Sequence, residues 1–123
     1  MIMTTHPGET RLDHTSLVEA VTHPDADAMI GMYADDAVLT VVDQDHPPEA
    51  PLTLTGIGEI GDFVREVCGR DIEHTVTQLV GDENGVAYEE HCRYPEGNRV
   101  IGLTVATLRD GRIVRQTLAQ AWD

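Results

Sequence analysis

The sequence contains no lysine, so its basic side chains are eight arginines. Without lysine there is no Schiff-base nucleophile and no phosphate loop of the lysine-bearing type. Positive charge is scarce altogether: 22 acidic residues against those eight give a formal net charge of -14. That balance argues against nucleic acid or an anionic membrane as partner, because both demand a positive surface. Cysteine is almost absent. Cys68 and Cys92 are too few for a disulfide framework and read as buried thiols. No stretch is apolar and long enough to cross a membrane, and the N-terminus lacks the charged start and apolar run of a signal peptide. A cytoplasmic location is therefore expected. Internal repeats and low-complexity segments are also missing.

What is present fits one domain with a modest core, at 123 residues. Residues 1–11 are polar, carry Pro7 and Gly8, and are expected to form a flexible tail, leaving 12–123 as the domain. A helix is predicted near Leu12 to Val21, with Leu17, Val18 and Val21 as its apolar stripe. His23-Pro24 ends it, and Pro24 suits the first turn of a second helix reaching about Tyr33, with Ala28, Met29, Met32 and Tyr33 inward. Strands are predicted at Ala37–Asp43 and Leu52–Thr55, separated by a proline-rich loop. Ile57, Ile60, Phe63, Val64 and Val67 mark a third amphipathic helix, closed by Gly69.

Beyond Gly69 the apolar period changes to two, giving strands near Ile72–Val80, Val86–Tyr94, Arg99–Arg109 and Arg112–Trp122. Asp110-Gly111 between the last two is a two-residue hairpin signal. Helices first and a meander of strands afterwards define an α+β fold.

Strand parity then assigns faces. Val86, Tyr88, Glu90, Cys92 and Tyr94 share one face, and four of those five belong in a core. Glu90 stands in their midst, and a buried carboxylate must find a partner or take up a proton. On the preceding strand Ile72, Val76 and Val80 define an apolar face that also carries His74 and Gln78. On the last strand Val114, Leu118 and Trp122 share a face with Gln116 and Gln120. Arg99–Arg109 is apolar on both faces and parity leaves it unoriented. Polar groups from three strands on an otherwise apolar surface are the make-up of a small-molecule pocket.

Two further motifs carry less. Gly56-Ile-Gly58-Glu-Ile-Gly61 matches the spacing of a dinucleotide fingerprint, but Glu59 and Asp62 put negative charge where a pyrophosphate would sit. Asp43-Gln-Asp45-His46 has the residue types of a metal site without a matching ligand cluster elsewhere, so no metal is expected there. Asp43 is kept as a residue at the pocket mouth.

The run Pro24-Asp-Ala-Asp-Ala-Met-Ile-Gly-Met-Tyr33-Ala-Asp-Asp-Ala-Val38, then Gly56-Ile-Gly-Glu-Ile-Gly-Asp-Phe63, then Arg109-Asp-Gly-Arg-Ile-Val114, closing on Trp122, resembles the SnoaL-like polyketide cyclase family. That family belongs to the nuclear transport factor two-like superfamily, with the ketosteroid isomerases, limonene epoxide hydrolases and scytalone dehydratase. The resemblance spans about residues 12 to 122. It implies a curved antiparallel sheet wrapped around three helices, a cone with a central pocket, and a homodimer. Aligned on Tyr33-Ala-Asp-Asp-Ala37, the isomerase's catalytic tyrosine falls on Leu17, its proton-shuttling aspartate on Val41 and its protonated aspartic acid on Thr104. Thr104 also stands roughly where the cyclases keep an aspartate base. His74 and His91 offer a loose parallel to the dehydratase's paired histidines, although parity sets them on opposite faces.

The expectation is a cofactor-independent enzyme moving protons next to a carbonyl in a small apolar, polyketide-like metabolite: a cyclisation, isomerisation or dehydration. Glu90 is the expected general acid or base, His74 its partner, and Asp43 a further candidate. Tyr88, Tyr94, Gln116 and Gln120 are expected to hold a developing enolate, with Gln78, Thr104 and Trp122 completing the ligand surface. The alternative is a non-catalytic ligand-binding or dimeric accessory module of the same fold.

Overall fold

The computed structural model of the chain describes residues 12–123. The expected tail at 1–11 lies outside the described residues. Helix α1 spans His14–Thr22 and α2 spans Ala26–Ile30. Strands β1 (Tyr33–Val42) and β2 (Leu52–Thr55) follow, then α3 (Gly56–Cys68). The chain closes with β3 (Glu73–Gly81), β4 (Gly85–Arg93), β5 (Arg99–Arg109) and β6 (Arg112–Trp122). One six-stranded sheet runs in the order β2-β1-β6-β5-β4-β3. It is curved and unclosed, and helices cover one face of it, with α3 against β1 and α1 against β3. The expected α+β fold is the one observed. Its sheet is antiparallel except at one seam, where β1 and β6 run parallel.

Local chemistry explains the boundaries. Asp13 caps α1 by accepting the Thr15 N–H at 3.0 Å, and Asp25 caps α2 through Ala28 N–H at 3.1 Å. Asp25 as the cap leaves Pro24 one residue outside the helix, not in its first turn. The second helix also ends three residues earlier than the periodicity implied. Gly31 caps it, and Tyr33 turns out to open β1 opposite Ile113. At the start of α3, Gly56 has φ of 87°, a backbone conformation that favours glycine. Glu59 Oε1 accepts the Thr55 N–H at 2.8 Å, so an acidic side chain occupies the helix start where a pyrophosphate would have to bind. Asp110 and Gly111 both have positive φ, 54° and 77°, giving the tight hairpin that their dipeptide signals.

Tyr33, Ala37, Leu39 and Val41 of β1 pack with Leu17 and Val21 of α1, Ile60 and Val64 of α3, and Val86, Ala106, Leu108 and Ile113 of the later strands. The strand β5 now has an orientation. Val100, Gly102, Thr104, Ala106 and Leu108 are buried, while Ile101, Leu103 and Val105 lie on the outer face, 43%, 53% and 63% exposed.

Two bulges move residues off the faces that strict alternation assigns them. In the β3–β4 ladder Val76 pairs with Glu90 but Gln78 pairs with Glu89, so the register slips at Thr77. Leu79 packs against the core, and Gln78 and Val80 are turned outward. In β6 a slip between Thr107 and Leu108 of its partner sets Ile113, not Val114, in the core.

Candidate active site

A cavity of about 370 Å³ opens between the inner face of the sheet and the helices. Its wall is mixed. Val21, Leu39, Val41, Phe63 and Leu118 supply apolar surface, and His74, Glu90, Thr104, Gln116 and Gln120 supply polar groups.

At its centre β3 and β4 present three reactive side chains. His74 Nδ1 lies 2.5 Å from Glu90 Oε2. Cys92 Sγ is 3.3 Å from the same carboxylate oxygen and 3.4 Å from His74 Nδ1. Both members of the His–Glu pair are largely shielded from solvent, with side-chain exposures of 7% and 17%. With an ionised carboxylate, which only accepts, and a neutral imidazole, the ring donates through Nδ1–H and the lone pair is left on Nε2. That Nε2 is buried with no hydrogen-bond partner among the described residues. Burial, then the nearby Glu90 charge and the hydrogen bond to it, push the Cys92 thiol well above its usual value. Cys92 is therefore a neutral thiol at ordinary pH and no nucleophile in its own right.

A second polar line crosses the cavity wall. The Tyr33 hydroxyl donates to Gln116 Oε1 at 2.5 Å, and Gln116 Nε2 reaches Thr104 Oγ1 at 3.5 Å. Thr104 in turn contacts the Tyr88 hydroxyl. Desolvation raises the pKa of both tyrosines, with Tyr88 adding to the shift of Tyr33 and Glu90 to that of Tyr88. Both phenols thus stay protonated and able to donate. Nearby, the Trp122 indole N–H donates to Gln120 Oε1 at 3.2 Å, and its ring lies 5.2 Å from that of Tyr94, tilted by 38°.

A family model, the SnoaL-like domain, matches residues 15–116. The chain belongs to the SnoaL-like domain family. Among curated proteins nothing matches it. Solved structures share the fold at low identity. A nuclear transport factor two-like protein of unknown function from Mesorhizobium loti is 14% identical, covers 87% of this chain and 86% of its own, and superposes with a TM-score of 0.77. A proposed ketosteroid isomerase from Kribbella flavida is 19% identical, with 87% and 73% covered and a TM-score of 0.72. A protein of ketosteroid isomerase-like fold from Catenulispora acidiphila, solved with trimethylamine, is 20% identical, with 85% and 81% covered and a TM-score of 0.62.

In this SnoaL-like domain most of the predicted site residues meet. Glu90, His74, Tyr88, Tyr94, Thr104, Gln116, Gln120 and Trp122 all line the one cavity. Asp43 lines it as well, but its Oδ1 accepts the Asp45 N–H and pairs with His46 Nδ1, both at 2.9 Å. Its contacts stay within its own loop, and it does not join the His–Glu pair. Gln78 does not belong to the site. The bulge at Thr77 turns it to the outer face, where it donates to Glu89 Oε1 at 3.1 Å. His91 is on that outer face too, paired with Glu89, as parity requires.

Two residues of the site escaped the sequence reading. The helical spacing of Met29, Met32 and Tyr33 puts Tyr33 at a helix end, and only its cross-sheet pairing with β6 brings it to Gln116. Cys92 read as inert packing, although its parity with Glu90 already placed it on the reactive face.

Proposed function

We propose that this SnoaL-like domain is a cofactor-independent enzyme that transfers protons next to a carbonyl in a small, largely apolar, polyketide-like metabolite. Cyclisation, isomerisation and dehydration all begin with that step. The observation that carries the reading is the His74–Glu90 pair in the cavity wall with His74 Nε2 left unpartnered. A carboxylate on Nδ1 fixes the imidazole tautomer and stabilises the imidazolium once Nε2 takes a proton. That nitrogen is shielded from solvent in the free protein and has no partner among the described residues, so a substrate entering the cavity has to uncover it before supplying one. Tyr88 and Gln116 stand in the same wall as hydrogen-bond donors for a developing enolate oxygen.

The test is proton exchange, which needs no knowledge of the natural substrate. A panel of small cyclic and linear ketones is incubated with the protein in D2O, and loss of the α-proton signal is followed by NMR. Wild type is expected to accelerate exchange for at least one ketone, and Glu90→Gln to abolish that acceleration. Equal rates for the two proteins overturn the reading.

The family resemblance also implies a homodimer, and the exposed row Ile101, Leu103 and Val105 supports one. We place a second copy of the chain on this outer face of the sheet, since contiguous apolar side chains on a strand mark a contact surface.

A further inference from the structure

The three side chains at the head of the cavity form a donor set as well as a proton relay. His74 Nδ1, Glu90 Oε2 and Cys92 Sγ offer one nitrogen, one oxygen and one sulfur within 4.8 Å of one another. We propose that they bind a thiophilic divalent cation of the zinc or cobalt class, with its remaining positions open to the cavity.

Geometry supports this first. Donors of a tetrahedral zinc site stand ~3.3–3.6 Å apart, given zinc–ligand bonds of about 2.0–2.3 Å. The Cys92–His74 and Cys92–Glu90 separations are already 3.4 and 3.3 Å. The His74–Glu90 pair, at 2.5 Å, has to part by roughly 1 Å for the ion to enter. The scaffold is rigid where it matters, because His74 and Cys92 are cross-strand partners and Glu90 lies two residues before Cys92 on the same face.

Charge supports it second. A dication held by one carboxylate, one thiolate and one neutral imidazole leaves no net charge in a poorly solvated wall. The proton balance is simple: the Cys92 thiol proton leaves to solvent, and the imidazole proton shifts from Nδ1 to Nε2. Mixed nitrogen, oxygen and sulfur ligation by three side chains suits zinc or cobalt better than magnesium or calcium, which favour oxygen. All three residues line the cavity, so a further coordination position faces it.

This inference does not rest on the proton-transfer reading. The ion takes Nδ1 and Oε2, the two atoms of the dyad, so metal-bound and proton-relaying states exclude each other.

The probe is cobalt(II) added to the chelator-treated full chain. A saturable band from thiolate-to-cobalt charge transfer is expected in the near ultraviolet at one ion per chain, displaced by zinc. Cys92→Ser is expected to lose that band and weaken cobalt binding at least about tenfold, and Cys68→Ser to retain both. Circular dichroism checks that each variant folds, and Cys92→Ala repeats the test should the serine variant fail. Absence of the band in wild type, or its persistence without Cys92, overturns the site. Neither result touches proton exchange, so failure here and failure of the proposed activity are read separately.

Discussion

His74 and Glu90 meet diagonally across the β3–β4 ladder, not face to face. His74 is registered opposite Cys92 and Glu90 opposite Val76, yet Nδ1 and Oε2 come within 2.5 Å. Long side chains reach such diagonal neighbours on one face of a sheet. The contact therefore depends on the ladder's register as much as on the two residues. Arg99 lies on the opposite, outer face of the sheet and pairs with Asp123.

Glu90→Gln keeps the shape of that contact and removes its charge. An imidazolium formed at His74 then loses its counter-charge, and the rate of α-proton exchange should fall by about 10²–10⁴-fold. Far-ultraviolet circular dichroism should match wild type, separating lost chemistry from lost fold. Exchange at the wild-type rate would remove Glu90 from the mechanism.

Gly102 controls the space beside the dyad. It is buried in β5 directly opposite Glu90, and a β-carbon built there meets Leu118 Cδ1 at 3.3 Å and Gln120 Cγ at 3.9 Å. Both neighbours are side chains able to give a little, so Gly102→Ala is expected to fold. Gly102→Val adds bulk to the cavity wall at a cost of about 1–3 kcal/mol and should block ligand entry. Thermal unfolding and ketone titration of the two variants, followed by NMR chemical shifts, check this. Undiminished ligand shifts in the valine variant would show that the ligand binds elsewhere.

The site was legible where strands keep strict alternation and illegible where they do not. The regular segment of β4 placed Tyr88, Glu90 and Cys92 correctly from parity alone, and Gln116, Gln120 and Trp122 followed the same rule on β6. The bulge at Thr77 has no residue signature, because neither glycine nor proline marks it, and so Gln78 and Val80 were assigned to the wrong face. Tyr33 was misread for a different reason. The sequence Met29 to Tyr33 continues the helical spacing of its apolar residues, and the turn after Gly31 is settled by the parallel pairing of β1 with β6, a contact between distant segments. The two-faced apolarity of β5 could be resolved only by seeing which face the helices leave bare.

Burial of Tyr33, Tyr88 and Cys92 predicts alkaline instability. In the fold all three hold their protons above their ordinary values of 10.0, 10.0 and 9.0, chiefly through desolvation. Below about pH 8 all three groups are protonated in both the folded and the unfolded chain, and the contribution to stability is complete. As pH rises past those ordinary values the unfolded chain releases protons that the folded chain keeps, and stability falls. Each group adds a slope of about 1.4 kcal/mol per pH unit once its unfolded form is ionised. Urea unfolding between pH 8 and 11 should show this decline, and Tyr33→Phe should flatten it while lowering stability at pH 8 through the lost bond to Gln116. An unchanged slope in that variant would mean that Tyr33 titrates normally.

The outer face of β5 gives the last prediction. Ile101, Leu103 and Val105 present a continuous apolar row, and their β6 partners there are Ala121, Ala119 and Thr117, none of them charged. Of the β4 partners His91, Glu89 and Ala87, the first two make one side of the row polar, where Glu89 is held by Thr77, Gln78 and His91. A row that is apolar at its centre and polar at one margin has the anatomy of an interface between two copies. Leu103→Glu sets a charge at the middle of that row and across from its symmetry mate. Light scattering coupled to size exclusion should read a dimer for wild type and a monomer for the variant. The variant should keep the wild-type circular dichroism, since position 103 faces away from the core. A wild-type chain that runs as a monomer at all concentrations would leave this face without a second copy.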